Sequence, residues 1–161
     1  HGPAVTKPLK ICLWNPGQGH IAALAYRLWR DRIAGIDLAG RDSLALAISA
    51  HNLLFATDTT TVPAPDMSEA AEALLSDGRP PYDLLVVPLE HIPSVNREEL
   101  IWSAASSLLR SEGTLLVLGK SADLHPYEKG AKAFSPSFSQ KQKGFRALAF
   151  TSKVDNEEKY V

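Results

Sequence analysis

The chain has 161 residues, of which 45% are hydrophobic, and this composition suits one ordinary domain with a single substantial core. Its 17 basic residues nearly balance its 18 acidic residues, so the chain has no global field that attracts nucleic acid or an anionic membrane. Any such partner must therefore be bound by a local patch.

The single cysteine, Cys12, excludes an intramolecular disulfide framework and favours a reducing, cytoplasmic setting. No apolar run approaches the roughly 20 residues of a transmembrane helix. The five histidines lack ligand spacing, so we expect no metal site. We expect residues 1–9 to be a tag remnant or linker, residues 10–152 to be one domain and residues 153–161 to be a polar tail. A second domain in a full-length protein is compatible with this division.

The first half of the chain predicts strands that alternate with helices. The apolar run Lys10–Trp14 predicts a buried strand, since it ends at a segment rich in Pro and Gly and an amphipathic helical pattern follows. Residues Arg32 to Leu38 predict a second strand with Asp37 at its carboxyl end. Residues Leu53 to Thr57 predict the third strand, and the threonine and proline cluster from Thr59 to Pro65 predicts a loop.

The second half continues the alternation and then changes character. Asp83 to Val87 and Gly113 to Gly119 are continuous apolar runs, which are typical of parallel strands buried on both faces. Pro126 to Phe134 predicts a helix, and Phe138 to Phe150 predicts a hairpin that turns near Lys143–Gly144. The chain is therefore expected to be an α/β protein with a Rossmann-like, mostly parallel sheet, a C-terminal antiparallel hairpin and helices on both faces.

Candidate ligand-binding groups follow the predicted strands, because ligands of such sheets bind at the carboxyl ends of the strands. Gly17 and Gly19 come after the first strand, where they allow the backbone to approach a ligand closely at a helix N-terminus. Asp37 can accept both hydrogen bonds of a ribose diol, and Asp58 follows the third predicted strand. Each group also has a purely structural interpretation, as a turn residue for the glycines and as a cap for the carboxylates.

Several segments resemble, in order and spacing, the motifs of class I S-adenosylmethionine-dependent methyltransferases. The segments that carry the resemblance are Gly35 to Ala47, Phe55 to Asp58, Tyr82 to Val86 and Leu109 to Leu115. The closing segments, His125 to Lys129 and Lys143 to Leu148, are similar to those of small-domain ribosomal RNA guanine-N2 methyltransferases. The resemblance covers nearly the whole chain, from Lys10 to Thr151, and it implies the class I methyltransferase fold.

The resemblance also implies S-adenosylmethionine as the cofactor. The loop of Gly17 and Gly19, which begins at Asn15, would pass the methionine part. Asp37, with Leu38 beside it, would hold the ribose, and Asp58 would contact the adenine. Family members usually carry an acidic residue at the position of Asn15.

The segment after the fourth strand differs from the family pattern. Amino-group methyltransferases of this kind carry Asn-Pro-Pro-aromatic there, whereas this chain has Val87-Pro88-Leu89-Glu90-His91. Pro88 matches, and His91 takes the place of the aromatic residue. Glu90 or His91 can serve as an acceptor or base for another substrate, and the alternative is that both line a solvated loop.

The resemblance favours a methyltransferase that acts on RNA, with a base amine of ribosomal RNA as the target. A local excess of basic residues offers contacts to RNA phosphates, although a solvated lysine face is an equal alternative. These residues are Lys120, Lys129, Lys132, Lys141, Lys143 and Arg146. The altered first and fourth motifs favour a second hypothesis, a catalytically degenerate methyltransferase fold that serves as an RNA- or protein-binding or structural module. A Rossmann dehydrogenase is a third possibility, but the glycine fingerprint is incomplete.

Overall fold

A computed structural model of the protein describes residues 9–15, 33–52, 58–89 and 97–153. Seven strands form one sheet: β1 (Leu9–Trp14), β2 (Ile33–Gly40), β3 (Asp58–Pro63), β4 (Tyr82–Pro88), β5 (Leu109–Lys120), β6 (Phe134–Gln142) and β7 (Phe145–Ser152). The described helices are α1 (Ser43–Asn52), α2 (Met67–Ser76), α3 (Arg97–Leu108) and the single turn α4 (Ser121–Leu124), which continues into a 3-10 turn at His125–Tyr127.

The strand order is β3-β2-β1-β4-β5-β7-β6. The first five strands run parallel to their neighbours, and β7 is antiparallel to both β5 and β6. The chain starts in the middle of the sheet, builds outward through β2 and β3, and then returns to the other side of β1 with β4. Strand order therefore reverses between β1 and β4, which is where sheets of this type bind ligands.

Each face of the parallel sheet carries its own apolar core, because side chains alternate between the faces along a strand. On one face Leu85 and Val87 of β4 belong to a core that includes Leu74 of α2 and Ala105 of α3. On the other face the strand residues belong to a second core with Leu46 of α1. The prediction of a mostly parallel sheet with helices on both faces is therefore confirmed.

The predicted loop from Thr59 to Pro65 is wrong, because most of it forms β3. Threonine and valine are β-branched and favour the extended backbone of a strand. A proline is also tolerated at the edge of a sheet, and Pro63 is the last residue of the edge strand β3. The segment Leu53–Thr57, predicted as the third strand, lies outside the described residues.

The predicted helix from Pro126 to Phe134 is also wrong. The helical turns end at Tyr127, and Gly130 adopts a φ of +74°, which starts a reversal rather than a helix. The predicted hairpin is confirmed, and its turn contains Lys143 at φ +50° and Gly144 at φ +83°. Two consecutive residues with positive φ are the signature of the tight turns that suit a twisted hairpin.

Among the described residues, no helix combines the length and the apolar character that crossing a bilayer requires.

Candidate functional site

A cavity of about 260 Å³ opens at the carboxyl edge of the sheet, at the point where strand order reverses. Residues from β1, from the ends of β2 and β4, from the segment after β3 and from α2 and α3 form its walls. These residues are Trp14, Arg41, Pro65, Asp66, Met67, Val87, Pro88, Leu89, Leu100 and Ile101. Since most of the described lining residues are apolar and two of them are charged, the cavity has the composition of a small-molecule site.

Asn15 directly follows β1 and the lining residue Trp14, and it is held against the end of β2. The backbone N–H of Asn15 donates to the carbonyl of Ala39 at 2.8 Å, and its side-chain Oδ1 accepts from the N–H of Arg41 at 3.0 Å. Asn15 itself has a φ of +46°, a left-handed conformation that asparagine tolerates better than most residues. A Cβ on Gly40 would lie 2.4 Å from that Oδ1, so this close approach requires glycine.

The segment after β3 brings a carboxylate to the cavity. Asp66 is the N-cap of α2, and its Oδ1 accepts from the N–H of Glu69 at 2.9 Å. An ionised carboxylate has about four acceptor positions, so Asp66 can also accept from a ligand. The N–H groups of Met67 and Ser68, the first two of α2, have no partner within the helix and supply donors beside this acceptor.

The end of β4 forms the apolar wall opposite Asp66. Leu89 extends past the strand and its N–H donates to the carbonyl of Leu118 at 2.7 Å. Gly119 packs against Leu89, since a Cβ there would lie 3.2 Å from the Leu89 Cβ. Pro88, predicted as a catalytic residue, therefore does line the cavity, and its catalytic role stays a prediction. Glu90 and His91 lie outside the described residues.

Asp37 does not lie at the end of β2 but three residues before it, which is about 10 Å from the edge of the sheet. Its side chain is buried, and its carboxylate accepts hydrogen bonds from the Arg79 guanidinium at 2.7 and 3.2 Å. The Tyr82 hydroxyl donates to Asp37 Oδ2 at 2.6 Å. Tyr82 is the first residue of β4 and Arg79 precedes that strand, so Asp37, in the middle of β2, is bound from the amino-terminal side, and we call these three residues the amino-terminal cluster. The ribose-binding role of Asp37 stays a prediction, which requires the carboxylate to accept hydrogen bonds from a ribose as well as from Arg79 and Tyr82.

The surroundings of Asp37 also affect two neighbouring groups. Burial, followed by the charge of Asp37, raises the pKa of the Cys12 thiol far above its ordinary value. Burial likewise is the main cause that raises the pKa of Tyr82. Both groups stay neutral at physiological pH, and a neutral buried thiol is a core residue rather than a nucleophile.

Of the other predicted cofactor residues, Leu38 and Asp58 lie in the described part of the chain. Leu38 is fully buried in the core beneath α1, on the face opposite Asp37. Asp58 is the first residue of β3, so its backbone lies at the amino edge, roughly 16 Å along the strand from the edge that bears the cavity. The prediction that Asp58 follows the third strand is wrong, because the strand begins where it was expected to end. Gly17 and Gly19 lie outside the described residues.

Sequence reasoning missed Arg41 and Asp66. Arg41 directly follows β2, whose predicted end at Leu38 was two residues too early. Asp66 was hidden by the predicted loop before it. A usable signal was present, because Asp66 and Glu69 have the spacing of a helix-capping motif in front of an apolar helical pattern.

Within the described part of the chain, no three His, Cys, Asp or Glu side chains are grouped so that they could hold a metal ion.

A comparison with models of protein families finds no match, and a comparison with curated protein sequences finds none either. Solved structures do match. TrmN from Thermus thermophilus superposes with a TM-score of 0.68 at 18% identity, over 92% of this chain and 46% of that one. The ribosomal protein L11 methylase from Lactobacillus delbrueckii subsp. bulgaricus superposes with a TM-score of 0.68 at 18% identity, over 93% of this chain and 72% of that one. The rRNA methyltransferase aviRa from Streptomyces viridochromogenes superposes with a TM-score of 0.69 at 12% identity, over 91% of this chain and 77% of that one. The chain therefore has the Rossmann-like fold of class I methyltransferases, with the C-terminal antiparallel strands that complete it.

Proposed function

We propose that this chain binds S-adenosylmethionine in the cavity at the carboxyl edge and acts as a methyltransferase on RNA, with a base amine of ribosomal RNA as the target. The observation that carries the proposal is the position of the cavity, which lies where strand order reverses in a chain with a methyltransferase fold. The RNA target is supported by the fold neighbours named for RNA methylation and by the resemblance of the closing segments.

The cavity fits the nucleoside part of this cofactor. Val87, Leu89 and Ile101 offer apolar surface to the faces of a purine ring. The Watson–Crick edge of adenine presents an amine donor next to a ring acceptor. Asp66 can accept from the amine, and the free N–H groups at the start of α2 can donate to the ring nitrogen. The carboxylate for adenine in this proposal is thus Asp66, eight residues after Asp58.

The chemistry of the transfer asks little of the protein. The bound cofactor would supply an activated methyl group on its sulfonium, and the chain must hold the acceptor nitrogen in line with it. Pro88 and Leu89 extend β4 to the cavity and lead into Glu90 and His91. In the proposal these two residues remain the candidates for receiving the amine or its proton, and Pro88 sets the direction of the chain before them.

One observation favours the second candidate, a degenerate methyltransferase fold that serves as a binding module. The carboxylate on β2 that resembles the ribose ligand of methyltransferases is bound by Arg79 and Tyr82. A chain that had lost its cofactor would have no need to keep that carboxylate available. The cavity near Asp66 argues for the first candidate, so cofactor binding is the measurement that separates the two.

Isothermal titration with S-adenosylmethionine and S-adenosylhomocysteine tests the proposal. We expect binding to the intact chain and about tenfold weaker binding to Asp66→Asn, because the amide that replaces one acceptor oxygen repels the adenine amine. The asparagine keeps an oxygen for the cap, so the helix is retained. Asp77→Asn is the matched control, since Asp77 is an exposed residue at the other end of α2.

Absence of any heat with the intact chain would favour the binding module instead. Incorporation of labelled methyl groups into ribosomal RNA then tests catalysis. Transfer that survives Asp66→Asn without loss of cofactor affinity would contradict the assignment of the adenine site.

A further inference from the structure

The β6–β7 hairpin buries one pair of phenylalanines and exposes another. Phe134 and Phe150 are buried, and both rings pack against Trp102 with centroids 5.4 and 5.1 Å from it. Phe138 and Phe145 are 52% and 61% exposed. The first pair fixes the hairpin to α3, so the second pair is held on a rigid support.

The two exposed rings share one face of the sheet. Phe138 pairs with Ala149 and Phe145 pairs with Gln142, and residues 145 and 149 of β7 point to the same side. Gln142 is four positions after Phe138 along β6, so the two phenylalanine positions lie roughly 13 Å apart along the strand direction. That spacing leaves each ring able to receive its own planar ligand group.

Positive charge surrounds the outer ring. Lys120 of β5 is the cross-strand partner of Phe145, which places its side chain on the same face within about 5 Å at Cβ. Lys143 lies in the turn two residues before Phe145 and is also exposed. Within the described ranges, neither lysine lies within ion-pair distance of a carboxylate. Of the two described acids between Lys120 and Arg146, Glu128 is bound by Arg146, and Asp123 is not within ion-pair distance of either lysine.

We infer that this face of the hairpin binds a single-stranded segment of nucleic acid. Under the proposed function, this segment is the RNA substrate. We call the surface the hairpin face and define it by Lys120, Phe138, Gln140, Gln142, Lys143 and Phe145. Exposed aromatic rings on a sheet stack with unpaired bases, and adjacent lysines neutralise the phosphates. The two glutamine amides lie between the rings on the same face and can hydrogen-bond to base edges.

The charge decides between nucleic acid and a protein as the occupant. An apolar protein partner would have to bury the ammonium groups of Lys120 and Lys143, for which the described residues offer no carboxylate. A nucleic acid brings its own anions to both lysines while its bases cover the rings. The face is therefore suited to a ligand that alternates flat apolar groups with negative charges.

The location of the hairpin face extends the proposed function. Lys120 and the turn lie at the same edge of the sheet as the cavity, because Leu118 of β5 pairs with Pro88 of β4. Only β5 separates β4 from β7, so the distance between them is about 10 Å. The cavity lies on the face that carries Trp14 and Val87, whereas Lys120 and Phe145 lie on the opposite face, so a strand that stacks on Phe145 would pass around the carboxyl end of β5 to reach the cavity.

Fluorescence anisotropy with a labelled RNA of roughly 12 nucleotides tests the inference. Phe138→Ala with Phe145→Ala is expected to weaken binding of single-stranded RNA at least about tenfold, because each ring loses a stacked base. Lys120→Gln with Lys143→Gln is expected to reduce the slope of log affinity against log salt by about 1.4, at about 0.7 for each phosphate contact. Leu44→Ala and Lys153→Gln are the matched controls, since Leu44 is 69% exposed on α1 and Lys153 is exposed and pairs with Glu112.

Two further ligands, single-stranded DNA and an RNA duplex, test which kind of nucleic acid the hairpin face binds. Single-stranded DNA of the same length is expected to bind no more tightly than RNA, and tighter binding of DNA would overturn the RNA assignment. An RNA duplex is expected to lose no affinity in the phenylalanine variant, because its bases are not free to stack.

The outcome is independent of the cofactor titration. If S-adenosylmethionine binds but the phenylalanine variant keeps wild-type RNA affinity, the inference fails and the proposed function stands. If the cofactor does not bind but the variant loses RNA affinity, the hairpin face is supported and the methyltransferase proposal fails. A wild-type dimer that the phenylalanine variant converts to a monomer, with unchanged RNA affinity, would make this face a protein interface and overturn the inference.

Discussion

The amino-terminal cluster around Asp37 and the carboxyl edge of the parallel sheet use the same kinds of side chain in opposite ways. At the amino-terminal side, the carboxylate of Asp37 is buried and bound by Arg79 and Tyr82. At the carboxyl edge, the carboxylate of Asp66 caps a helix and faces a cavity that also contains Arg41. The cluster satisfies its charges internally, whereas Asp66 at the carboxyl edge keeps acceptor positions toward the cavity.

The difference shows that a carboxylate near a strand end is not by itself evidence for a ligand. A buried carboxylate needs hydrogen bonds to offset the loss of hydration, and Asp37 receives three from within the chain. Asp66 needs fewer, because it is partly exposed and stands at the positive end of a helix. The partners of a carboxylate therefore indicate its role better than its place in a motif does.

The largest effect is expected for Asp37→Ala. The substitution removes the buried carboxylate that Arg79 binds, and we expect the free energy of unfolding to fall by about 3 kcal/mol, at the low end for a buried pair because the Arg79 side chain is 25% exposed. Urea denaturation measures this change. Asp42→Ala is the control, since Asp42 is an exposed residue whose carboxylate caps α1, and its loss should cost only about 1 kcal/mol.

The same variant tests the contrast between the two edges. If Asp37 is a structural residue, the folded variant should bind S-adenosylmethionine with nearly wild-type affinity. A loss of affinity without a loss of stability would reverse the comparison and would assign Asp37 to the ribose.

Gly40→Ala is expected to have the next largest effect and acts at the other edge. The new Cβ would clash with the Asn15 side chain and must displace the turn after β1. We expect a loss of about 2 kcal/mol in unfolding free energy, the usual range for overpacking, together with weaker cofactor binding. Gly78→Ala is the control, because Gly78 has a φ of +69° but no neighbour within 4 Å and lies away from the cavity. Equal effects on cofactor affinity would show that the turn does not shape the site.

The sequence predicted the elements whose signals are local. Lys10–Trp14 and Asp83–Val87 were recognised because each is an apolar run bounded by breakers, and they match β1 and β4 to within a residue. The strand β3 was missed because its threonines and proline read equally well as a loop, and only its position at the sheet edge makes it a strand.

The site was harder to predict, because it depends on contacts between distant residues. Arg79 and Tyr82 are 42 and 45 residues from Asp37 in the chain, and nothing near Asp37 indicates that its carboxylate is already bound. The third strand was expected to end before Asp58, whereas Asp58 begins β3 and Asp66 is the carboxylate that lines the cavity. The adenine contact of Asp58 stays a prediction. Pro88 is the last residue of β4 and lines the cavity, and the sequence indicated this position because the end of the apolar run was clear; its catalytic role stays a prediction.

A smaller effect is expected for Tyr82→Phe, which keeps the ring and removes the hydroxyl that donates to Asp37. We expect a loss of about 1.5 kcal/mol, the lower value for a hydrogen bond to a charged group, because Arg79 still binds the carboxylate. Thermal and urea denaturation should agree on the sign. A variant as stable as the wild type would mean that Arg79 alone satisfies Asp37, and the amino-terminal cluster would be a simple ion pair.

The smallest effect is expected for Glu128→Gln, which extends the comparison to an exposed pair of the same chemistry. Arg146 donates to Glu128 as Arg79 does to Asp37, but Glu128 is an exposed residue. The hydrogen bond from Arg146 is the main cause that lowers the pKa of Glu128 below its ordinary value of 4.5. A carboxylate with a lowered pKa stabilises the folded state above its unfolded pKa, and this contribution is lost as the pH falls through the folded pKa.

The stability difference between wild type and Glu128→Gln should therefore be small, constant near neutral pH and absent in strong acid, as urea titrations across that range would measure. Salt should reduce it further, because exposed charges are screened, whereas the Asp37–Arg79 contribution should resist salt. If both ion pairs responded equally to salt, burial would not explain the difference between the Asp37–Arg79 pair and the exposed Glu128–Arg146 pair.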